Sequence, residues 1–371
     1  MRTDELDYEL PPEAIAQTPV EPRDAARLLV DLGPQVAPLD RSVADLPRLL
    51  RAGDLVVVND TRVLPARVAV RRTSGGAGEV LLLEPHGDEG WWQALCRPSR
   101  KLKAGERVDA TAGALRFEVG DTLDDGRRLV RPLAAGDDDR ALRGEALLSA
   151  LDGSGVAPLP PYITEVLDDA ERYQTVFSSR PASAAAPTAG LHLTPEVLAD
   201  LDAAGVQLER VELVVGLDTF RPITTDDVED HDIHSEWYRV PGTTWDAVRS
   251  ARAEGRRVVA VGTTTVRALE STAATGEATG RTRLFITPGF EFRAVDVLMT
   301  NFHLPRSSLL AMIQAFVGPR WRDLYATALE RGYRFLSFGD AMLLQRAQLS
   351  ERAESGPSER AETAHTAGGA G

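Results

Sequence analysis

Val258-Val259-Ala260-Val261-Gly262-Thr263-Thr264-Thr265-Val266, running on through Glu270, decides the fold. Four apolar residues, three of them β-branched, stop at a glycine, and a helical run follows the three threonines. The same order recurs. A strand at 211–215 ends at Gly216. Another at 294–299 ends at Thr300-Asn301-Phe302-His303-Leu304-Pro305, and Ser307 leads into an apolar helix through Phe316. Upstream, Leu55-Val56-Val57-Val58 runs into the turn Asn59-Asp60-Thr61-Arg62 and is assigned to the same sheet. Alternation of this kind implies an α/β sheet, and such sheets bind ligands outside the carboxyl ends of their strands.

Between about 63 and 150 the texture changes. Short alternating runs such as Arg67-Val68-Ala69-Val70, Glu79-Val80-Leu81-Leu82-Leu83 and Leu115-Arg116-Phe117-Glu118-Val119 are separated by Gly and Asp turns, and Pro158, Pro160 and Pro161 mark the exit. This is the pattern of a small antiparallel sheet or barrel. The expected fold class is α/β: a larger α/β domain from 1–62 and 155–348, with a smaller antiparallel β-barrel domain inserted at 63–154. The segment 349–371 carries Glu, Ala, Ser and Gly without apolar periodicity and reads as a disordered tail.

Composition narrows the class. The 371 residues are 43% apolar and 26% charged, ordinary for a soluble globular protein. No apolar run is long enough to span a bilayer, and the stretch from Met1 to Asp7 lacks the order of a signal peptide. A cytoplasmic monomer is expected. Cys96 is the single cysteine, which excludes an intrachain disulfide and a cysteine-rich metal site. The net charge of −14 argues against coating nucleic acid with the whole surface but leaves room for a local basic face.

Common catalytic signatures are absent: no phosphate-binding G-x-x-x-x-G-K-[ST], no H-E-x-x-H and no G-x-S-x-G. What remains is a set of polar loops at strand ends. Ala185-Ala186-Pro187-Thr188-Ala189-Gly190-Leu191-His192 is followed by Thr194-Pro195-Glu196, an N-cap and first-turn proline. Small residues admit a ligand to the backbone, and a helix start favours an anionic or polar one. Asn59, Asp60, Thr61 and Arg62 form one further loop, and Arg172, Tyr173 and Gln174 another. Gly262, Thr263 and Thr264 suit a carboxylate or ribose, and equally suit plain helix capping. Asn301 and His303 occupy a comparable strand end. His231, His234 and Glu236 cluster after an acidic run, but their spacing is a weak metal signal, so no metal is expected.

Basic residues form a second pattern. Arg97, Arg100, Lys101, Lys103 and Arg107 fall within eleven residues, after Trp91 and Trp92. Arg249, Arg252, Arg256 and Arg257 are placed on a predicted helix at spacings of three and four. Such patches beside a pocket suit a structured RNA, and suit a solvated arginine face equally well.

The chain resembles the S-adenosylmethionine:tRNA ribosyltransferase-isomerases of queuosine biosynthesis. The likeness runs from Asp7-Tyr8-Glu9-Leu10-Pro11 to Phe338-Gly339-Asp340-Ala341-Met342. It is carried by Asn59-Asp60-Thr61-Arg62-Val63, Pro158-Leu159-Pro160-Pro161-Tyr162-Ile163, Arg172-Tyr173-Gln174-Thr175-Val176, the 187–192 loop, Thr219-Phe220-Arg221-Pro222, His234-Ser235-Glu236, Gly262-Thr263-Thr264 and Thr300-Asn301-Phe302-His303-Leu304-Pro305. The resemblance implies an α/β domain with a smaller β-barrel. It implies transfer and isomerisation of the ribosyl part of S-adenosylmethionine, a co-substrate rather than a bound cofactor. The acceptor is 7-aminomethyl-7-deazaguanine at the tRNA wobble position, and the products are epoxyqueuosine, adenine and methionine.

That chemistry needs a base for the acidified hydrogen beside the sulfonium and a donor for the departing adenine. His192 or His303 is the expected base or acid, with Asp60 and Glu236 as competing bases. Thr263 and Thr264 are expected to hold the methionine carboxylate, and Arg62 and Arg172 to face tRNA phosphate or the modified base. Asn59, Thr61, Tyr173, Gln174, Pro187, Thr188, Gly190, Thr219, His234, Gly262 and Asn301 complete the expected substrate site, and the 97–107 cluster the tRNA-binding face. Leu193 and Thr287 stand where the family usually has an aromatic, and Asp218 where it has glycine. Another S-adenosylmethionine-dependent RNA-modifying enzyme, or a non-catalytic RNA-binding protein, is the competing reading.

Overall fold

In the computed structural model of the protein, the strand Val258–Val261 sits at the centre of a nine-stranded mixed sheet. Residues 1–124, 126–136, 140–216 and 222–347 are described; Asp218, Thr219 and the 349–371 segment lie outside them. The sheet order is Thr279–Thr282, Glu236–Arg239, Gln207–Leu213, Leu55–Asn59, Val258–Val261, Val297–Asn301, Ala341–Gln345, Arg27–Asp31 and Leu39–Ser42. Four neighbours, Gln207–Leu213, Leu55–Asn59, Val258–Val261 and Val297–Asn301, are mutually parallel, so their carboxyl ends open on one side.

Continuous apolar runs in these strands follow from burial on both faces. Leu55, Val57, Val258, Ala260 and Leu298 point into one core, and Val56, Val58, Val259, Val261 and Met299 into the other. The first core is covered by the helices Gly242–Ala253, Thr263–Thr275, Ser308–Val317 and Trp321–Glu330, the second by Leu46–Leu49 and Pro195–Ala203. The cap signals are realised: Thr194 Oγ1 accepts from the Val197 N–H at 3.2 Å, and Ser307 Oγ from Leu310 N–H at 3.2 Å.

Several expectations are corrected. The first sixty residues hold three strands of the sheet rather than one; Arg27–Asp31 pairs in parallel with Ala341–Gln345 and ties the two ends of the fold together. Asn301 is a strand residue, because its antiparallel partner Ala341 extends the pairing past Met299. Thr263 to Thr265 form the first helical turn, with Gly262 as N-cap at φ 90°, a conformation that favours glycine. The helix Gly242–Ala253 ends before Arg256 and Arg257. Arg257 pairs with Asp54 and Arg252 with Asp296, at the amino ends of the central strands, and Arg256 pairs with Glu254, so these arginines do not form one basic helix face.

Seven strands between Arg67 and Val156 form a separate antiparallel sheet. Arg67–Arg71 pairs with Ala77–His86 on one side and Arg107–Ala110 on the other, so the pairing order returns to its start. Its inward side chains, among them Val68, Val80, Ala94, Phe117 and Val130, make a core of their own. Among the described residues no helix is long and apolar enough to cross a membrane.

Candidate active site

The carboxyl ends of the parallel strands open into a cleft. Three loops predicted from sequence meet there: 187–189, 262–264 and 300–304. The helix that begins at Thr263 aims its N-terminal end into this space, because Gly262, Thr263 and Thr264 line it. Its free N–H groups and partial positive charge suit a carboxylate. Asn59 supports the turn from beneath: its Nδ2 donates to Thr264 Oγ1 at 3.2 Å and to the Leu213 carbonyl at 3.0 Å.

Asn301 organises the opposite wall. Its Oδ1 accepts from Thr188 Oγ1 at 2.9 Å, and its Nδ2 lies 3.4 Å from the Asp340 carbonyl and 3.0 Å from His192 Nε2. A carbonyl only accepts, so the amide nitrogen faces Asp340 and donates to His192 as well. His192 Nε2 is therefore an acceptor, and the ring proton sits on Nδ1. Burial, with smaller contributions from Arg334, Arg23 and Arg172, lowers the His192 pKa to about 4. His192 stands behind Asn301 and does not line the cleft.

His303 does line it. Its Nε2 lies 3.0 Å from Thr300 Oγ1, its N–H donates to the Tyr325 hydroxyl at 3.0 Å, and its carbonyl accepts from the Tyr8 hydroxyl at 2.6 Å. Desolvation lowers its pKa to about 3, so the imidazole is neutral at working pH. The other two candidate bases lie elsewhere. Asp60 accepts from Ser179 Oγ at 3.0 Å outside the cleft, its pKa raised mainly by burial. Glu236 is buried in an ion pair with Arg267 and accepts from the Gly216 N–H at 3.3 Å. It lines an adjoining cavity together with His231 and His234, and Leu309 lines both spaces.

The remaining expected site residues divide. Pro187, Thr188, Gly262, Thr263, Thr264 and Asn301 line the cleft. Gly190 faces away: a Cβ there would stand 2.8 Å from the Phe177 ring. Tyr173 is fully buried with its ring edge against Phe338. Gln174 is bonded twice to the Val63 backbone, at 2.9 and 3.0 Å, and Thr61 Oγ1 reaches the Leu213 carbonyl at 3.4 Å. Arg62 pairs with Glu171, and Arg172 with Glu21 at 2.5 Å. Arg97, Arg100, Lys101, Lys103 and Arg107 are exposed on the seven-stranded sheet and its turn. Among the described residues no group of three or more His, Cys, Asp or Glu could hold a metal ion.

Sequence reasoning missed Tyr162, Ser307 and Ser337, which line the cleft; the Tyr162 hydroxyl lies 2.7 Å from Ser337 Oγ. Tyr162 falls inside the quoted 158–163 motif, where an aromatic after three prolines carries no sequence signal that separates a cleft wall from core packing. Leu193 is fully buried in the second core, a packing position rather than a ligand contact.

Residues 3–344 match the profile of the family described as queuosine biosynthesis protein. The chain belongs to this family. It is 49% identical to the S-adenosylmethionine:tRNA ribosyltransferase-isomerase of Heliobacterium modesticaldum, over 91% of this chain and 98% of that one. It is also 49% identical to the enzyme of the same name from Rubrobacter xylanophilus, over 93% and 98%. A crystal structure of an S-adenosylmethionine tRNA ribosyltransferase from Thermotoga maritima is 37% identical, covers 91% of this chain and 99% of its own, and superposes with a TM-score of 0.52.

Proposed function

We propose that the protein transfers and isomerises the ribosyl group of S-adenosylmethionine onto 7-aminomethyl-7-deazaguanine in the wobble position of tRNA. Epoxyqueuosine, adenine and methionine are the products. Family membership across nearly the whole described chain carries this reading. The cleft supplies the chemistry: Thr263 and Thr264 at the helix start hold the methionine carboxylate, and His303 faces the reacting ribose.

Neutral His303, on the cleft wall, can take the proton from the carbon beside sulfur when the sulfonium is seated against it. It can return a proton to the departing base. His192, behind Asn301, positions that wall. Residues 63–154 are the inserted β-barrel domain, and its exposed cluster at 97–107 meets tRNA phosphate. The protein works as a cytoplasmic monomer with no resident cofactor or metal.

The test is adenine release from S-adenosylmethionine, followed by chromatography. Release that requires tRNA bearing the aminomethyl base supports the reading. Accumulation of S-adenosylhomocysteine instead indicates a methyltransferase.

A further inference from the structure

Tyr8 stands 295 residues before His303 in sequence, yet the chain around it straps the loop that carries His303. The Leu6 carbonyl accepts from the Arg306 N–H at 2.9 Å. The Asp7 carboxylate pairs with the Arg306 guanidinium at 2.6 Å. The Tyr8 hydroxyl donates to the His303 carbonyl at 2.6 Å. Arg306 is held at φ 53°, a left-handed conformation that a residue other than glycine adopts at a cost and keeps only where its surroundings impose it.

Of these contacts, the one from Tyr8 reaches His303 itself. The Tyr8 ring packs edge-on against Tyr325 and Trp321, with centroids 5.2 and 6.2 Å apart. Burial raises its pKa, so the phenol keeps its proton and donates. Tyr325, fully buried, holds the same residue by its other polar group: its hydroxyl accepts the His303 N–H at 3.0 Å. Both backbone polar groups of His303 thus end on a tyrosine hydroxyl, and the preceding Phe302 stacks on Phe335 with centroids 4.5 Å apart. Neither tyrosine lines the cleft, whereas His303 does.

We propose that Tyr8 is a positioning residue for His303: its hydroxyl, opposite that of Tyr325, fixes the loop backbone and so sets where the imidazole stands on the cleft wall. This inference rests on the proposed reaction, in which His303 moves the proton. A displacement of about 1 Å at a reacting group costs up to about a hundredfold in rate, so a hold on the backbone is felt in the chemistry.

The test is Tyr8→Phe, which removes the hydroxyl and keeps the ring in its aromatic seat, made both in wild type and in His303→Ala. Adenine release from S-adenosylmethionine with tRNA bearing the aminomethyl base gives the rates, and thermal melts verify folding. Tyr8→Phe is expected to lower kcat by about tenfold with KM changed less than about twofold. In the His303→Ala background the same substitution is expected to change the rate less than about twofold, because the group it positions is gone. The His303 ring signals in nitrogen-15 spectra of the free protein, assigned by their loss in His303→Ala, are expected to move in Tyr8→Phe.

A wild-type rate in Tyr8→Phe overturns the proposal. So does an equal loss in both backgrounds, which places the action of Tyr8 elsewhere, and so does a wild-type rate in His303→Ala. Unmoved His303 ring signals overturn it without reference to activity. A wild-type protein that releases no adenine refutes the reaction alone, and the ring signals then decide whether Tyr8 holds the imidazole.

Discussion

Asn301 Nδ2 lies 3.0 Å from His192 Nε2, while its Oδ1 takes the Thr188 hydroxyl at 2.9 Å. One amide thereby joins two strand-end loops and fixes the imidazole tautomer. The pKa values of about 4 for His192 and about 3 for His303 lie below the ordinary value of 6.5. The unfolded chain therefore binds more protons than the folded one once pH drops below 6.5. Stability is full above that value and falls as pH is lowered toward the folded-state pKa values, by up to about 1.4 kcal/mol per pH unit for each histidine. Denaturant titrations from pH 7 to 4 check this; His192→Gln is expected to flatten the profile.

His303 faces the cleft and His192 does not, so their substitutions are expected to differ. His303→Ala should lower the single-turnover rate by about 10²–10⁴. His192→Ala should cost less, because it acts through Asn301. Near-normal rates in both variants would remove histidine from the proton-transfer role.

Gly190 packs on Phe177 with no room for a methyl group. Gly190→Ala is expected to destabilise the fold by about 1–3 kcal/mol and to displace Thr188. Phe177→Leu in the same chain should recover part of the loss in thermal melts, since the clash is with the ring tip.

Arg100, Lys101 and Lys103 are exposed on a turn of the seven-stranded sheet. Replacing all three with glutamine should weaken tRNA binding and flatten its salt dependence, by about 0.7–0.9 in the log–log slope for each phosphate that is no longer neutralised. Rates at saturating tRNA should stay near wild type. An unchanged slope would place the tRNA face elsewhere.

The centre of the fold was readable because Val258 to Val261 and Leu55 to Val58 are buried on both faces, which forces continuous apolar runs. Arg27–Asp31 was not, because a five-residue strand with charged ends owes its place to pairing with Ala341, more than three hundred residues away. Within the site, Thr188, Thr263, Thr264, Asn301 and His303 could be found because strand ends concentrate ligand contacts. Tyr173 and Gln174 looked the same in sequence, yet one is core and the other clamps Val63. Motif residues that hold a loop in shape and those that touch a ligand share one sequence signal; only packing separates them.

The measurement that bears most directly on the account is mass spectrometry of nucleosides from tRNA carrying 7-aminomethyl-7-deazaguanine, after incubation with the protein and S-adenosylmethionine. The account predicts conversion of that base to epoxyqueuosine, with adenine and methionine released in equal amounts. An unchanged nucleoside, with folded protein and intact substrates, would contradict it.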